Sequence, residues 1–145
     1  MFPNRPNGVF LFFTAQNPNV ILYGIRCENK YYQLEEMEDK ETCTTELFLL
    51  ENGGVEFGET DGPLPKECLG SWQVFPGTDN FKMDIVRKFS TGTSGRDMGE
   101  FDYEIVRSFV GEMTEVGSSV GISGVMVSGD NQEVGFFSMI DVSIF

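Results

Sequence analysis

The chain contains no histidine. That removes the commonest general base and the commonest metal ligand, and excludes a Ser-His-Asp or Cys-His mechanism carried by this chain alone. Cysteine is scarce. The three present, Cys27, Cys43 and Cys68, are an odd number without C-x-x-C spacing, which argues against a zinc site and a complete disulfide framework. There is no N-x-S/T acceptor and no signal-peptide core, and the longest unbroken apolar run, residues 9–13, is far too short to span a bilayer. Basic residues number 10 against 23 acidic ones and form no cluster. The net charge of −13 repels phosphate backbones and anionic surfaces, so neither nucleic-acid binding nor membrane insertion is expected. A reducing intracellular compartment, cytoplasm or plastid, is the simpler expectation; a processed secreted form is the alternative.

What is abundant is phenylalanine, 14 residues, and glycine, 17 residues, within a chain of 145. That combination suits many strands joined by tight turns, in a single domain spanning 1–145. One pattern is written twice. Residues 81–89 read Phe-Lys-Met-Asp-Ile-Val-Arg-Lys-Phe, and residues 101–109 read Phe-Asp-Tyr-Glu-Ile-Val-Arg-Ser-Phe. In each copy the odd positions are aromatic or aliphatic apart from one arginine, which is the period of a half-buried strand. Residues 90–100, with three glycines, suit a hairpin loop. A pairing symmetric about Gly95 sets Phe89 opposite Phe101, Arg87 opposite Tyr103, Ile85 opposite Ile105 and Met83 opposite Arg107.

Along the chain, residues 1–7 form a loose lead-in, and 8–14 with 19–27 read as a first hairpin that is apolar on both faces. Residues 31–34 look like a third strand. The acidic run 35–41 reads as a helical turn or a solvated loop. Residues 42–50 and 54–58 make the next hairpin around Asn52-Gly53. A polar connection, 59–69, divides two groups of strands. Strands are then expected at 73–75, in the doubled pattern, at 119–128 with Val120, Ile122 and Met126 on one face, and at 133–145. In the last of these Val134, Phe136, Ser138, Ile140, Val142 and Ile144 alternate with Gly135, Asp141 and Ser143. The fold class is all-β: an antiparallel, closed or nearly closed barrel of about 8–10 strands, with a two-sheet sandwich as the competing architecture.

Two arginines on an apolar strand face need explaining, because an unpaired guanidinium is expensive to bury. Their stems can pack on rings while the heads reach water. Alternatively they pair with a carboxylate from a neighbouring strand, for which Glu46 and Glu56 are available. On the functional reading, Arg87, Arg107 and Tyr103 hold the anionic end of an apolar ligand while Phe81, Met83, Phe89, Phe101 and Phe109 cover its body. Trp72 is expected to plug one end of the barrel.

Gly70-Ser71-Trp72 at the head of a strand, followed by a meander, resembles the G-x-W signature of the lipocalin and fatty-acid-binding (calycin) superfamily. Arg87, Tyr103 and Arg107 are similar in kind to the interior residues with which fatty-acid-binding proteins hold a carboxylate. The likeness covers 70–145, and it departs from the family in that some five candidate strands precede the tripeptide. Gly135-Phe136-Phe137-Ser138-Met139 is similar to the final strand of the S-type phycobilin lyases. That resemblance implies a bilin whose propionates meet the arginines, a cysteine holding the pigment transiently, and a chromophore-lyase activity. The expected function is non-catalytic binding of a small apolar anion, fatty-acid-like or tetrapyrrole-like. No catalytic residue, metal or resident cofactor is assigned. The alternative is an interaction or structural β-domain whose N-terminal hairpin forms a homodimer or partner surface.

Overall fold

The computed structural model describes residues 24–90 and 101–143. They form eight antiparallel strands and no helix: β1 (Tyr31–Glu38), β2 (Glu41–Leu49), β3 (Val55–Thr60), β4 (Glu67–Val74), β5 (Asn80–Ser90), β6 (Asp102–Val116), β7 (Ser119–Ser128) and β8 (Glu133–Asp141). Their lateral order is β3-β2-β1-β8-β7-β6-β5-β4. Every strand therefore lies beside its sequence neighbour, and β8 returns to β1, as in an up-and-down barrel. Between β3 and β4 the ladder shrinks to a single bridge, Gly54 to Ser71, so the barrel is nearly closed with one unsealed seam. Val55 and Phe57 crowd against Gly70 there, where a methyl group would lie 2.9 Å from the Phe57 ring.

The interior follows from period-two alternation. Tyr32 and Leu34 on β1, Leu47 and Leu49 on β2, Phe81, Met83 and Ile85 on β5, Phe109 and Met113 on β6, Ile122 and Met126 on β7, and Met139 on β8 are all buried. Cys27, ahead of β1, closes one end. Its carbonyl accepts a 2.8 Å hydrogen bond from the Tyr32 hydroxyl. Trp72 lies at the same end, partly buried. Its ring stacks on Phe81 at 6.3 Å and its Nε1–H donates to the Leu50 carbonyl at 2.8 Å.

Several expectations are corrected. The run 35–41 is neither helix nor loop, since β1 continues through Glu38 and β2 begins at Glu41. Only Asp39 and Lys40 make the turn, with Asp39 at a φ of 55°. The polar connection 59–69 contracts to 61–66, because β3 runs to Thr60 and β4 starts at Glu67. Of the five strands expected ahead of Gly70-Ser71-Trp72, three are present as β1, β2 and β3. Of the expected N-terminal hairpin, Gly24–Cys27 lies outside any strand, and the remainder lies outside the described residues. The β5–β6 pairing is shifted by two residues, so that Phe89 faces Tyr103, Arg87 faces Ile105, Ile85 faces Arg107 and Met83 faces Phe109. On β8 the more apolar set is the outward one. Phe137 and Met139 are buried, while Phe136 is 62% and Ile140 53% exposed, because the ladders to Glu36 and Ile122 place the odd positions inside.

Candidate functional site

The core positions on each strand dictate what happens at the barrel end opposite Trp72. Once Tyr32 and Leu34 face inward, Glu36 and Glu38 must face the same way, since turning them out would expose the whole buried set. By the same rule Met83 and Ile85 carry Arg87 and Phe89 inward, and Phe109 carries Arg107 and Tyr103. Four charged side chains thus enter one end of the lumen from three strands.

They pair across it. Arg87 donates from Nη1 and Nη2 to the two carboxylate oxygens of Glu36, at 3.0 and 2.7 Å, with side-chain exposures of 15% and 8%. Arg107 donates from Nε and Nη2 to Glu38, at 2.9 and 2.8 Å, and from Nη1 to its neighbouring Val106 carbonyl. Both contacts are the two-pronged guanidinium–carboxylate geometry that is the strongest form of the interaction. The partners are not Glu46 and Glu56. Glu46 is exposed on the opposite face of β2 from the buried Leu47, and the acidic run, read as solvated, supplies both carboxylates.

The pairing favours the charged forms of Arg87, Arg107 and Glu38. Burial works against the Arg87 guanidinium, but the hydrogen bonds and charge of Glu36 outweigh it and raise its pKa above the ordinary value. Arg107 is raised chiefly by its hydrogen bonds to Glu38. Glu38 is held below the usual carboxylate range, first by the Arg107 hydrogen bonds and against some desolvation.

Around the arginines lie two thiols. Cys68 sits opposite Arg87 on β4, and Cys43 sits opposite Glu36 on β2. Burial pushes the Cys68 thiol up, with the Arg87 charge and hydrogen bond opposing. Cys43 lies 3.6 Å from the Thr60 hydroxyl, which in turn meets the Thr45 hydroxyl at 2.8 Å. All three cysteines are free. Among the described residues, no cluster of Cys, Asp and Glu could hold a metal ion.

The other expected site residues divide into two groups. Phe89 and Tyr103 stack at 5.6 Å beside the arginine end, Tyr103 is partly exposed, and Phe101 stands exposed at the rim. Phe81, Met83 and Phe109 are fully buried, and the Phe109 ring is packed edge-on against Phe137 at 5.2 Å. Two clefts of about 290 and 340 Å³ lie elsewhere. One is lined by Asn52, Ser71, Trp72, Lys82 and Asp84 and the other by Tyr31, Tyr32, Glu46 and Ser143; neither is lined by Arg87 or Arg107. The residues that sequence reasoning missed are Glu36 and Glu38. Continuing the alternation of Tyr32 and Leu34 through the acidic run was the signal that pointed to them. Comparison with protein-family models, curated proteins and solved structures finds no match to this chain.

Proposed function

We propose that the arginine end of the barrel binds, without catalysis of its own, a small molecule with an apolar body and an anionic head, fatty-acid-like or tetrapyrrole-like. One observation carries this reading. A guanidinium has five N–H donors, and among the described residues Arg87, largely buried, gives two of them to Glu36 and meets the Cys68 thiol with another. Unspent donors on a buried cation favour an anionic acceptor. The Phe89–Tyr103 stack offers the adjoining apolar surface, with Phe101 at the rim. Because Phe81, Met83 and Phe109 are packed, a ligand lies across the mouth and meets those three only if the core parts. The up-and-down order of eight strands is in keeping with a calycin-like barrel.

A fluorescent fatty-acid analogue titrated into the native protein, Arg87→Met and Arg107→Met tests the proposal, with folding followed by circular dichroism. Saturable one-to-one binding that weakens about tenfold, ~1.4 kcal/mol, in folded variants supports it. Absence of saturable binding to the native protein overturns it.

A second reading has its own support. Both arginines already have two-pronged partners, which suits a structural role in an interaction domain. A native protein that binds no analogue and variants that lose only stability favour this reading.

A further inference from the structure

On the outer wall, β7 and β8 lie side by side, and beyond Glu133 at the start of β8 no outward residue of either strand is charged. The outward residues of β7 are Ser119, Gly121, Ser123, Val125 and Val127, and those of β8 past the register shift at Met126/Val127 are Phe136, Ser138 and Ile140, in a chain with a net charge of −13; Val134 at that shift packs against the core. The ladders align this strip into rows. One row runs Met37, Phe136, Val125, Val110 from β1 to β6, with Met37 52%, Phe136 62% and Val110 41% exposed. The next row runs Glu35, Ser138, Ser123, Glu112. An apolar ridge therefore adjoins a floor of small residues, flanked on each side by an exposed carboxylate.

The spacing selects an occupant. Three inter-strand steps separate Glu35 from Glu112, roughly 14 Å along the wall, slightly more than the ~10–12 Å diameter of an α-helix with its side chains. The ten residues of β7 extend about 33 Å, room for a helix of about 18 residues, ~27 Å long. We propose that the β7–β8 wall docks a basic amphipathic helix of a partner protein. Its apolar face lies on Phe136, Val125 and Ile140, and lysines or arginines on its two flanks reach Glu35 and Glu112. Charge decides against a second copy of this chain, which would bring another −13 and a second pair of carboxylates to the same rim.

The test uses a fluorescein-labelled model helix of about 18 residues, leucine along one face and lysine on both flanks, titrated by anisotropy into the full chain. A charge-reversed helix with glutamate flanks is the control. The expected result is saturable binding of the lysine helix alone, weakened about tenfold or more by Phe136→Ser, by Ile140→Thr and by the double change Glu35→Gln/Glu112→Gln. Glu56→Gln/Glu59→Gln, which removes the same charge from β3, should leave it unchanged. Equal weakening by both double changes makes the attraction a general property of an acidic surface and overturns the proposal. So does failure of the native chain to bind the lysine helix. If the native mass instead doubles with concentration and Phe136→Ser abolishes the doubling, a second copy occupies the wall. Binding that is absent in the native chain and gained in Phe12→Ser assigns the wall to the chain's own apolar run, and the proposal falls in that case too.

Discussion

Arg87 on β5 and Glu36 on β1 meet through two hydrogen bonds of 3.0 and 2.7 Å across the lumen of the barrel. The two strands are not neighbours. Three strands separate them on either side of the ring, so the pair ties opposite walls together at the end away from Trp72. Both side chains are mostly buried, which makes the pair strong evidence of organisation and weak evidence of net stability, since desolvation offsets much of the attraction.

Breaking the pair from one side should be costly and removing it whole should not. Arg87→Met or Glu36→Leu alone strands a buried charge and is expected to lower the unfolding free energy by about 3–5 kcal/mol. The double variant should recover most of that loss. Urea unfolding of the four proteins gives the coupling directly. Additive losses in the double variant would mean that the two groups are not coupled as the geometry requires.

Acid should loosen the same end of the barrel. Glu38 has its folded pKa depressed below the ordinary 4.5, chiefly by the Arg107 hydrogen bonds, so between the folded and unfolded values the unfolded chain binds the proton more readily. The stabilisation is present above 4.5 and is lost as pH falls through the folded value. Asp141, at the opposite end beside Tyr32, contributes to overall stability with the same sign. Burial raises its pKa, but the hydrogen bonds from Ser143 and the Lys30 charge outweigh that and leave it lowered. Melting temperature followed from pH 7 downward should drop below the carboxylate range, and Glu38→Gln should flatten part of that drop. An unaltered acid limb in Glu38→Gln would remove this residue from the account.

The three thiols should differ in reach. Cys27 is 1% exposed, and burial, helped by the Glu28 charge, pushes its thiol far above the ordinary range. The thiolate is the reactive form, so an aromatic disulfide reagent should leave Cys27 unlabelled in the folded protein and react with it only on unfolding. Cys43 and Cys68, partly exposed, should react first, and slowly, because burial also raises Cys68. Mass mapping of the labelled peptides distinguishes the three. Early labelling of Cys27 would mean that the segment before β1 does not close its end of the barrel.

Alternation carried much of this fold in the sequence, and its blind spots are equally physical. The β7 strand, 119–128, was legible to its boundaries because Val120, Ile122 and Met126 recur on one face between turn residues. The inward direction of Arg87 and Arg107 was legible too. Their register was not, because sliding β6 by two residues returns every side chain to its original face, and pattern alone cannot detect that. Glu36 and Glu38 were hidden by composition: a run of acids reads as solvent-facing until the partners across the lumen are known, and those partners lie 51 and 69 residues away. On β8 both faces are apolar. Which one is core was decided by the ladders from β1 and β7 rather than by the strand itself.

The close approach of β6 and β7 rests on a glycine pair and should fail with a single methyl group. Gly111 and Gly124 are ladder partners, and Phe137 stands next in the row, with its ring against Phe109. A Cβ on Gly124 would press into the Val110 carbonyl and the Gly111 Cα, and one on Gly111 into the Ser123 carbonyl. These are backbone atoms of a paired strand and cannot rotate aside, so the ladder itself has to move. Gly124→Ala is therefore expected to lose about 3 kcal/mol, the upper end for overpacking, or to fail to fold. Gly121→Ala provides the contrast on the same strand: its added methyl meets only the Thr114 hydroxyl at 3.5 Å and the Met139 carbonyl at 3.9 Å, and the change should stay within about 0.5 kcal/mol. Urea midpoints of the two variants read the difference. Equal, small effects would show that β6 and β7 part more easily at this point than their packing implies.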